Sequence, residues 1–167
     1  HGARLAGLAF LVCGLAMVIK HRFLYAGDIF PRMSIAALLN KVKVSEVRPI
    51  PCTIEGKVLG RGIAGYIFSE DFIVRDETGI LYADYQQPLA IWEFFFGLLK
   101  AGDYKGCDVT IKGWYRRSPV PYIQIYKIDC YGEVRKSWAS AGYLTWAIIL
   151  AVIGGLLCLL NEKYLDD

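Results

Sequence analysis

Two long apolar stretches bracket a segment in which apolar and polar residues alternate. Residues 5–19 and residues 137–160 contain no charged side chain. The hydrocarbon core of a bilayer is ~30 Å thick, and a helix needs about 20 apolar residues to cross it. The second stretch reaches that length and the first falls slightly short. The pattern predicts a first transmembrane helix, a juxtamembrane connector, a folded domain and a second transmembrane helix, over residues 1–22, 23–43, 44–132 and 137–161.

The composition is typical of a small membrane protein. Hydrophobic residues make up 55% of the chain, and the mean hydropathy is +0.36. A cleaved signal peptide is disfavoured, because Lys20 and Arg22 follow the first stretch in place of a small-residue cleavage site. The chain begins with His1 rather than Met, so we expect it to be the tail of a longer polypeptide. A buried helical hairpin of a soluble protein is the alternative.

The segment between the apolar stretches predicts a small barrel. Its alternating runs indicate five strands, over residues 53–59, 72–75, 80–84, 109–115 and 122–128. Pro88 opens a predicted helix over residues 89–100, between the third and fourth strands. Five strands with one helix at this place are the layout of an OB-fold, a partly open Greek-key barrel. An SH3-like barrel is the main alternative, although it normally lacks such a helix.

Glycines and turn residues mark the bends of this barrel. Gly60 and Gly62 flank Arg61 and predict a bulge or tight bend with left-handed backbone at the end of the first strand. Arg61 is a candidate binding residue. The alternative is that it only shapes this bend. Residues 76–79, Asp-Glu-Thr-Gly, predict a hairpin turn whose acidic side chains are solvated.

A short amphipathic helix is predicted within the connector. Ser34 is a suitable N-cap, and apolar residues recur at helical spacing through residues 35–42. Basic residues flank this helix, so one interpretation places it along the membrane surface. The other packs it on the barrel as a lid.

Basic residues cluster on the domain side of the two apolar stretches. They are Lys20, Arg22, Arg32, Arg135 and Lys136. Residues 20–136 carry 17 Lys and Arg against 13 Asp and Glu, a net charge of +4. Because basic residues in short flanks stay on the cytoplasmic side of a membrane, we expect the domain to be cytoplasmic.

The sequence contains no recognisable catalytic or metal-binding motif. It has no H-E-x-x-H, no G-x-S-x-G and no Walker loop, and its five cysteines form no C-x-x-C pair. We therefore predict that this chain is not an enzyme and holds no cofactor and no metal. Cys52, Cys107 and Cys130 lie among apolar strand residues and are expected to be buried free thiols.

The clearest candidate binding surface is the corner between the fourth and fifth strands. Here Arg116 and Arg117 stand beside Trp114, Tyr115 and Tyr122. Guanidinium groups stack on aromatic rings and bind phosphates or carboxylates with a planar fork, and OB-folds bind ligands through such loops. The alternative is that the aromatic side chains pack in the barrel while the arginines pair with loop acids or lipid headgroups.

Two other surfaces indicate contact with lipid or a partner. The helix over residues 89–100 is apolar nearly all round, and its aromatic residues would face the bilayer or a partner domain: Trp92, Phe94, Phe95 and Phe96. Small residues also recur at a spacing of four in both apolar stretches, at Ala147, Ala151 and Gly155 and at Ala3 and Gly7. Such faces allow close helix contact, so we expect the two long helices to pack together.

Five sequence blocks of the domain stand in a distinctive order. They are VSEVRPIP at 44–51, EGKVLGRG at 55–62, FSEDF at 68–72 with DETG at 76–79, YQQPL at 85–89 and GWYRRSPVPY at 113–122. Together they resemble the C-terminal extension of large HtpX-type membrane zinc metalloproteases. The resemblance implies a bacterial or archaeal inner-membrane quality-control peptidase with its active site facing the cytoplasm. That family's H-E-x-x-H zinc motif has no counterpart here, so the resemblance covers only the non-catalytic part.

The sequence is compatible with three functions. The leading hypothesis is a membrane-anchored OB-like module that positions such a protease or binds its substrates or partner proteins. The second is a free-standing scaffold or assembly protein similar to the NfeD-like membrane OB proteins. The third is nucleic-acid binding at the membrane, which the small net charge of the domain disfavours.

Overall fold

The computed structural model describes residues 2–61, 72–86 and 105–163. The chain divides into two compact units. The helical unit comprises residues 1–23 and 140–167, and the barrel unit comprises Leu24–Ala139. Each unit is described separately below.

The helical unit contains the two long apolar helices that the sequence predicts. Helix α1 runs over Gly2–Leu24 and the C-terminal helix, α3, over Ala139–Lys163. Their apolar spans, Arg4–Leu24 and Ala139–Leu160, are long enough to cross a bilayer, and only 17% and 11% of their most apolar windows are buried. A core helix of a soluble protein would bury most of its apolar surface, whereas these helices leave it exposed.

Small residues bring α1 and α3 into close contact. A Cβ atom built at Gly14 would lie 2.5 Å from the backbone nitrogen of Ala151, and one at Gly7 would lie 2.9 Å from Sγ of Cys158. The predicted packing of the two helices is therefore confirmed.

The predicted small-residue spacing needs one correction. Gly154, not Gly155, meets α1 at Leu11, and a Cβ atom at Gly155 would meet nothing within 4 Å. An α-helix has 3.6 residues per turn, so residues on one face recur at spacings of three and four. After Ala147 and Ala151, the next residue on the face toward α1 is Gly154, three positions later. The side chain of Ala3 lies outside the described part of the structure.

Five strands of the barrel unit close into a ring, and a sixth extends it. The strands are β1 Ile50–Arg61, β2 Phe72–Arg75, β3 Ile80–Asp84, β4 Asp108–Ser118, β5 Val120–Cys130 and β6 Glu133–Lys136. β1, β2 and β3 form an antiparallel meander, and β4 returns to lie beside β1. β5 pairs with β4 and also, in parallel, with β3, which closes the ring. This Greek-key order confirms the predicted OB-like barrel.

Strand bounds agree with the sequence pattern, with two differences. β2 and β3 have the predicted bounds, and β1, β4 and β5 extend further at both ends. β6 was not predicted, because it is short and three of its four residues are charged. It follows a tight turn in which Tyr131 and Gly132 adopt positive φ angles of 53° and 88°, the backbone that a two-residue hairpin requires. The predicted helix over residues 89–100, with its four aromatic residues, lies outside the described residues.

The predicted bulge at the end of β1 is present in another form. The register between β1 and β2 shifts between Val58 and Gly60. Gly60 does not adopt the left-handed backbone that we expected there. The extra residue of a bulge can be accommodated with ordinary backbone angles. Gly62 lies outside the described residues.

The connector helix packs on the barrel. Helix α2 runs over Ile35–Leu39, and the Ser34 side chain accepts a hydrogen bond from the Ala37 amide, as an N-cap does. Ile35 and Leu38 are fully buried in the same core as the inner faces of the strands. Of the two interpretations left open by the sequence, the lid is confirmed. Val42 lies beyond the helix and is 84% exposed.

Candidate functional site

The β4–β5 corner is buried on both of its faces. Strand residues alternate between faces, and Tyr115 points into the core, where it is fully buried. Its neighbours Trp114 and Arg116 therefore point outward, yet they are only 4% and 3% exposed. The outer face is covered by the chain's own connector, the segment that follows α1.

Arg116 binds the backbone at the end of α1 and just before β1 through its guanidinium group. Nη2 donates to the carbonyl oxygen of Leu24 at 2.6 Å, and Nη1 donates to the carbonyl oxygen of Glu46. Nε donates to Oε1 of Gln124, the residue two positions along β5 from its register partner. The guanidinium carbon also lies 5.3 Å from the centre of the Tyr25 ring, within cation–π range.

The pKa of Arg116 is lowered inside this enclosure. Burial lowers the pKa of Arg116, while the surrounding Tyr25, Tyr122, Glu46 and Asp84 act in the opposite direction. An arginine keeps its proton in proteins, so the corner contains a buried cation. Two backbone carbonyls and one amide oxygen provide the hydrogen bonds that such a cation needs.

Trp114 fixes a second point of the connector. Its indole Nε1 donates to the carbonyl oxygen of Ala26 at 3.1 Å. Its ring meets Tyr25 and Phe30 nearly edge-on, with ring centres 4.9 and 5.6 Å away, and meets Tyr126 at 5.4 Å. Aromatic contacts of this geometry add to the energy of burial, so Trp114 anchors the connector by packing and by a hydrogen bond.

The remaining predicted site residues have different surroundings. Arg117 is half-buried, and its Nη2 donates to the carbonyl oxygen of Leu39, the last residue of α2. Tyr122 is half-buried, and burial raises its pKa. Arg61 ends β1 at the opposite end of that strand from Ile50, the residue that pairs with Tyr115. The structure therefore brings five of the six predicted residues together and leaves Arg61 away from the corner.

Tyr115 and Cys52 are polar groups enclosed in the barrel core. Among the described residues the Tyr115 hydroxyl has no hydrogen-bond partner, and burial raises its pKa. Burial also raises the pKa of the Cys52 thiol to about 12. A thiol that does not ionise is a poor nucleophile, which makes Cys52 chemically inert.

The exit from the barrel unit is fixed as well as its entry. The Trp138 amide donates to the carbonyl oxygen of Gln86 at 2.8 Å, and the Ser137 amide donates to that of Tyr126 at 2.9 Å. The Tyr25 hydroxyl donates to the carbonyl oxygen of Ala139 at 3.3 Å. The first and last segments of the barrel unit are thus joined to each other as well as to the strands.

Two of the cysteines are not free thiols. Cys107 and Cys130 form a disulfide with Cα atoms 6.3 Å apart, which corrects the expectation that both are unpaired. They are separated by 23 positions in sequence, and only the pairing of β4 with β5 brings them together. Cys52 is free and buried, as expected.

A cleft with a volume of about 1000 Å³ lies on the outer face of β1. Its walls carry charges of both signs, from Arg32, Glu55, Lys57, Arg75 and Asp76 among others. Arg32 and Glu55 form an ion pair at 3.1 Å that is largely exposed. Over the described ranges no group of three or more His, Cys, Asp or Glu side chains is arranged to hold a metal ion.

Asp76 differs from the solvated turn acid that the sequence suggested. Its carboxylate accepts hydrogen bonds from the amides of Thr78 and Gly79 and from the Thr78 hydroxyl within the β2–β3 turn. It also accepts one from the Ile35 amide at 2.8 Å, at the start of α2. Burial alone would raise the pKa of Asp76, but these hydrogen bonds lower it below its ordinary value. Asp76 therefore links the turn to the lid helix.

Sequence reasoning missed the partner of the corner. The acceptors at Leu24, Ala26 and Glu46 are backbone carbonyls, which leave no trace in residue type. The signal that was available is the pair of aromatic residues in the connector, Tyr25 and Phe30, which match the aromatic side chains of the corner.

This chain resembles known proteins only distantly. No known protein family matches the sequence, and no curated protein matches it. Among solved structures, the hypothetical protein ygiW from E. coli is similar over 62% of this chain and 98% of its own, with 13% identity and a TM-score of 0.42. That likeness is too distant to support an argument, so the strand order described above is the basis for the fold.

Proposed function

We propose that this chain is a non-catalytic, membrane-anchored OB-like module that serves an HtpX-type membrane zinc metalloprotease. In this role it positions the catalytic domain at the bilayer or binds substrates or partner proteins. The five sequence blocks that resemble the extension of such proteases support the proposal. The two long, exposed apolar helices support membrane anchoring, with lipid covering their outer surfaces.

One observation carries the proposal, namely the connection between the corner and the connector. Arg116 and Trp114 bind the backbone of Leu24, Ala26 and Glu46. The residues that would contact an external ligand are thus used to hold the segment that leads out of α1. The outer surfaces of the barrel away from this corner are then available to a protein partner.

The charge pattern supports a cytoplasmic position for the barrel, and the resemblance to HtpX-type proteases implies a bacterial or archaeal membrane. Five basic residues lie on the domain side of the apolar stretches, and short basic flanks remain in the cytoplasm. The partners of the module are then lipid at the helices and a protein at the barrel.

Affinity capture from membranes tests the proposal. The full chain, tagged and solubilised in mild detergent, should capture a polypeptide that contains H-E-x-x-H, and the captured fraction should cleave casein in a chelator-sensitive way. A tagged chain with Arg117→Ala, which keeps the hydrogen bonds of Arg116 but removes the half-buried charge beside it, tests whether this part of the corner contacts the protease. Equal recovery of protease by the wild type and this variant would show that Arg117 is not part of the interface. Absence of any such protease from the wild-type fraction would contradict the proposal.

A free-standing scaffold similar to the NfeD-like proteins is the second candidate. It is supported by the packing of α1 on α3, because Gly7, Gly14 and Gly154 give this helix pair a contact surface of its own. Such an anchor needs no further transmembrane helix. Capture of a membrane complex that lacks a zinc protease would favour this candidate.

Nucleic-acid binding is disfavoured at the corner. Single-stranded nucleic acid is bound by exposed basic grooves and exposed aromatic rings, whereas Trp114 and Arg116 are enclosed. Salt-sensitive binding of an oligonucleotide by the full chain would be needed to reopen this possibility.

A further inference from the structure

The Cys107–Cys130 disulfide lies at the end of the β4–β5 pair opposite the corner. Cys107 precedes β4, and its carbonyl oxygen accepts a hydrogen bond from the Val58 amide of β1. Cys130 is the last residue of β5 and pairs with Val109 of β4 and with Glu133 of β6. β4 and β5 are paired along their whole length, so their association does not depend on the disulfide.

The disulfide holds Cys130, the last residue of β5, where the β5–β6 hairpin begins. β6 has four residues, and within the described part of the chain its one strand partner is the end of β5. It leads directly to Ser137 and Trp138, the segment that holds the exit of the barrel unit. When the disulfide is closed, the turn at Tyr131 starts from a covalently fixed residue. When it is open, β6 is held to β5 by four residue pairs alone.

The cysteines of the barrel unit differ in their access to thiols. Cys130 is half-buried, whereas Cys107 is only 3% exposed and Cys52 is fully buried. Thiol–disulfide exchange requires access to the attacked sulfur. An incoming thiolate would therefore reach Cys130 first.

We propose that Cys107 and Cys130 form a reversible thiol–disulfide switch that fastens and releases the β5–β6 hairpin. The inference rests on the cytoplasmic orientation given under the proposed function, because disulfides in that compartment are reduced unless they are transient or redox-sensing. The partners in the exchange are small-molecule thiols and their disulfides or a dithiol oxidoreductase.

The exchange is balanced in electrons and protons. In reduction, a thiolate of the dithiol attacks Sγ of Cys130, and the bond to Sγ of Cys107 breaks. Cys107 leaves as a thiolate and takes up a proton. The second thiol of the dithiol loses its proton and attacks the mixed disulfide, which releases Cys130 as a thiolate that is then protonated. The switch gains two electrons, and the dithiol becomes a disulfide. Oxidation by a small-molecule disulfide reverses these steps.

Thiol trapping in the full chain tests the switch. Cys13, Cys52 and Cys158 are first replaced by Ala, so that only Cys107 and Cys130 react. Cells that express this chain are quenched in acid and labelled with a maleimide of large mass. The pair should be labelled in growing cells, protected after brief treatment with diamide, and labelled again after dithiothreitol. A Cys130→Ser variant should show one labelled thiol under all three conditions.

Cleavage by chymotrypsin after Tyr131, which is 80% exposed, provides a second measurement. Reduction of the purified full chain should speed this cleavage several-fold, and Cys130→Ser should be cleaved at the fast rate whether or not a reductant is present. Equal rates for both redox forms of the wild-type pair would contradict the release of the hairpin.

Two results of the trapping would overturn the proposal. A pair that is fully oxidised in growing cells would make the bond a permanent crosslink and would place the barrel in an oxidising compartment. A pair that diamide never oxidises would exclude the switch. Capture of a zinc protease by the wild-type chain is measured separately from the redox state of the pair, so failure of the switch and failure of the proposed association with a protease can be distinguished. A fully oxidised pair would in addition contradict the cytoplasmic orientation.

Discussion

Arg116 and Arg117 are adjacent in sequence, but only Arg116 is enclosed. Its guanidinium group donates to the backbone carbonyls of Leu24 and Glu46 and to the side chain of Gln124, whereas Arg117 is half-buried and donates to the end of α2. A buried acceptor that loses its donor costs free energy, because water cannot replace the hydrogen bond. The two arginines therefore differ in their contribution to stability.

Lysine substitutions should distinguish the contributions of Arg116 and Arg117 to stability. Arg116→Lys keeps the charge but removes the planar fork, so we expect the free energy of unfolding to fall by about 3 kcal/mol. Arg117→Lys should lower it by less than about 1 kcal/mol. Denaturant unfolding of the full chain in detergent, followed by near-ultraviolet circular dichroism of the aromatic cluster, measures both. Equal losses for the two variants would contradict the role given to Arg116.

Asp76 should make the lid sensitive to acid. Its pKa is lowered in the folded chain, so its contribution is present above the ordinary carboxyl pKa of about 4 and is lost as the pH falls through the lower, folded value. The Asp76→Asn variant should be less stable at neutral pH and should lose less stability than the wild type on acidification.

Unfolding curves between pH 7 and pH 2 measure this difference. The neighbouring Glu77→Gln variant removes a carboxylate without touching the hydrogen bonds of Asp76 and serves as the control. A parallel pH dependence in wild type and Asp76→Asn would show that Asp76 does not stabilise the lid.

Helix α2 was the element whose position the sequence could not decide. Its spacing is amphipathic in either environment, since a membrane surface and a barrel core bury the same apolar face. Ile35 and Leu38 are buried in the barrel core, and Val42 lies outside it.

Truncation of one apolar side chain within α2 and of one that follows it tests this placement. Leu38→Ala should lower the free energy of unfolding by about 2–5 kcal/mol, because it leaves a cavity in the core. Val42→Ala should have almost no effect on the barrel. An unchanged free energy of unfolding for Leu38→Ala would show that α2 does not pack in the barrel core.

The helix pair provides a matched test of its own. Gly154 faces α1 at van der Waals contact, whereas Gly155 faces open space. Gly154→Leu should force the helices apart and lower the free energy of unfolding in dodecyl sulfate by about 1–3 kcal/mol. Gly155→Leu should change it little. Circular dichroism reports this unfolding, and equal effects of the two substitutions would show that α3 packs through another face.

At the scale of the whole chain, alternation and length were enough to predict the barrel and both long helices. Local signals placed the hairpin turn at Asp76 and the N-cap at Ser34, because their chemistry depends on near neighbours. The disulfide and the enclosure of Arg116 depend instead on residues far apart in sequence. A tertiary contact with a backbone carbonyl has no sequence pattern, so the corner looked like an exposed site when it binds the connector.

Both candidate functions require the chain to be anchored in a bilayer by α1 and α3. Extraction of membranes with alkaline carbonate tests this requirement most directly, because it releases peripheral proteins and leaves transmembrane helices in the lipid. We predict that the full chain stays in the membrane pellet and is released only by detergent. Recovery of the chain in the carbonate supernatant would contradict membrane anchoring and both candidate functions.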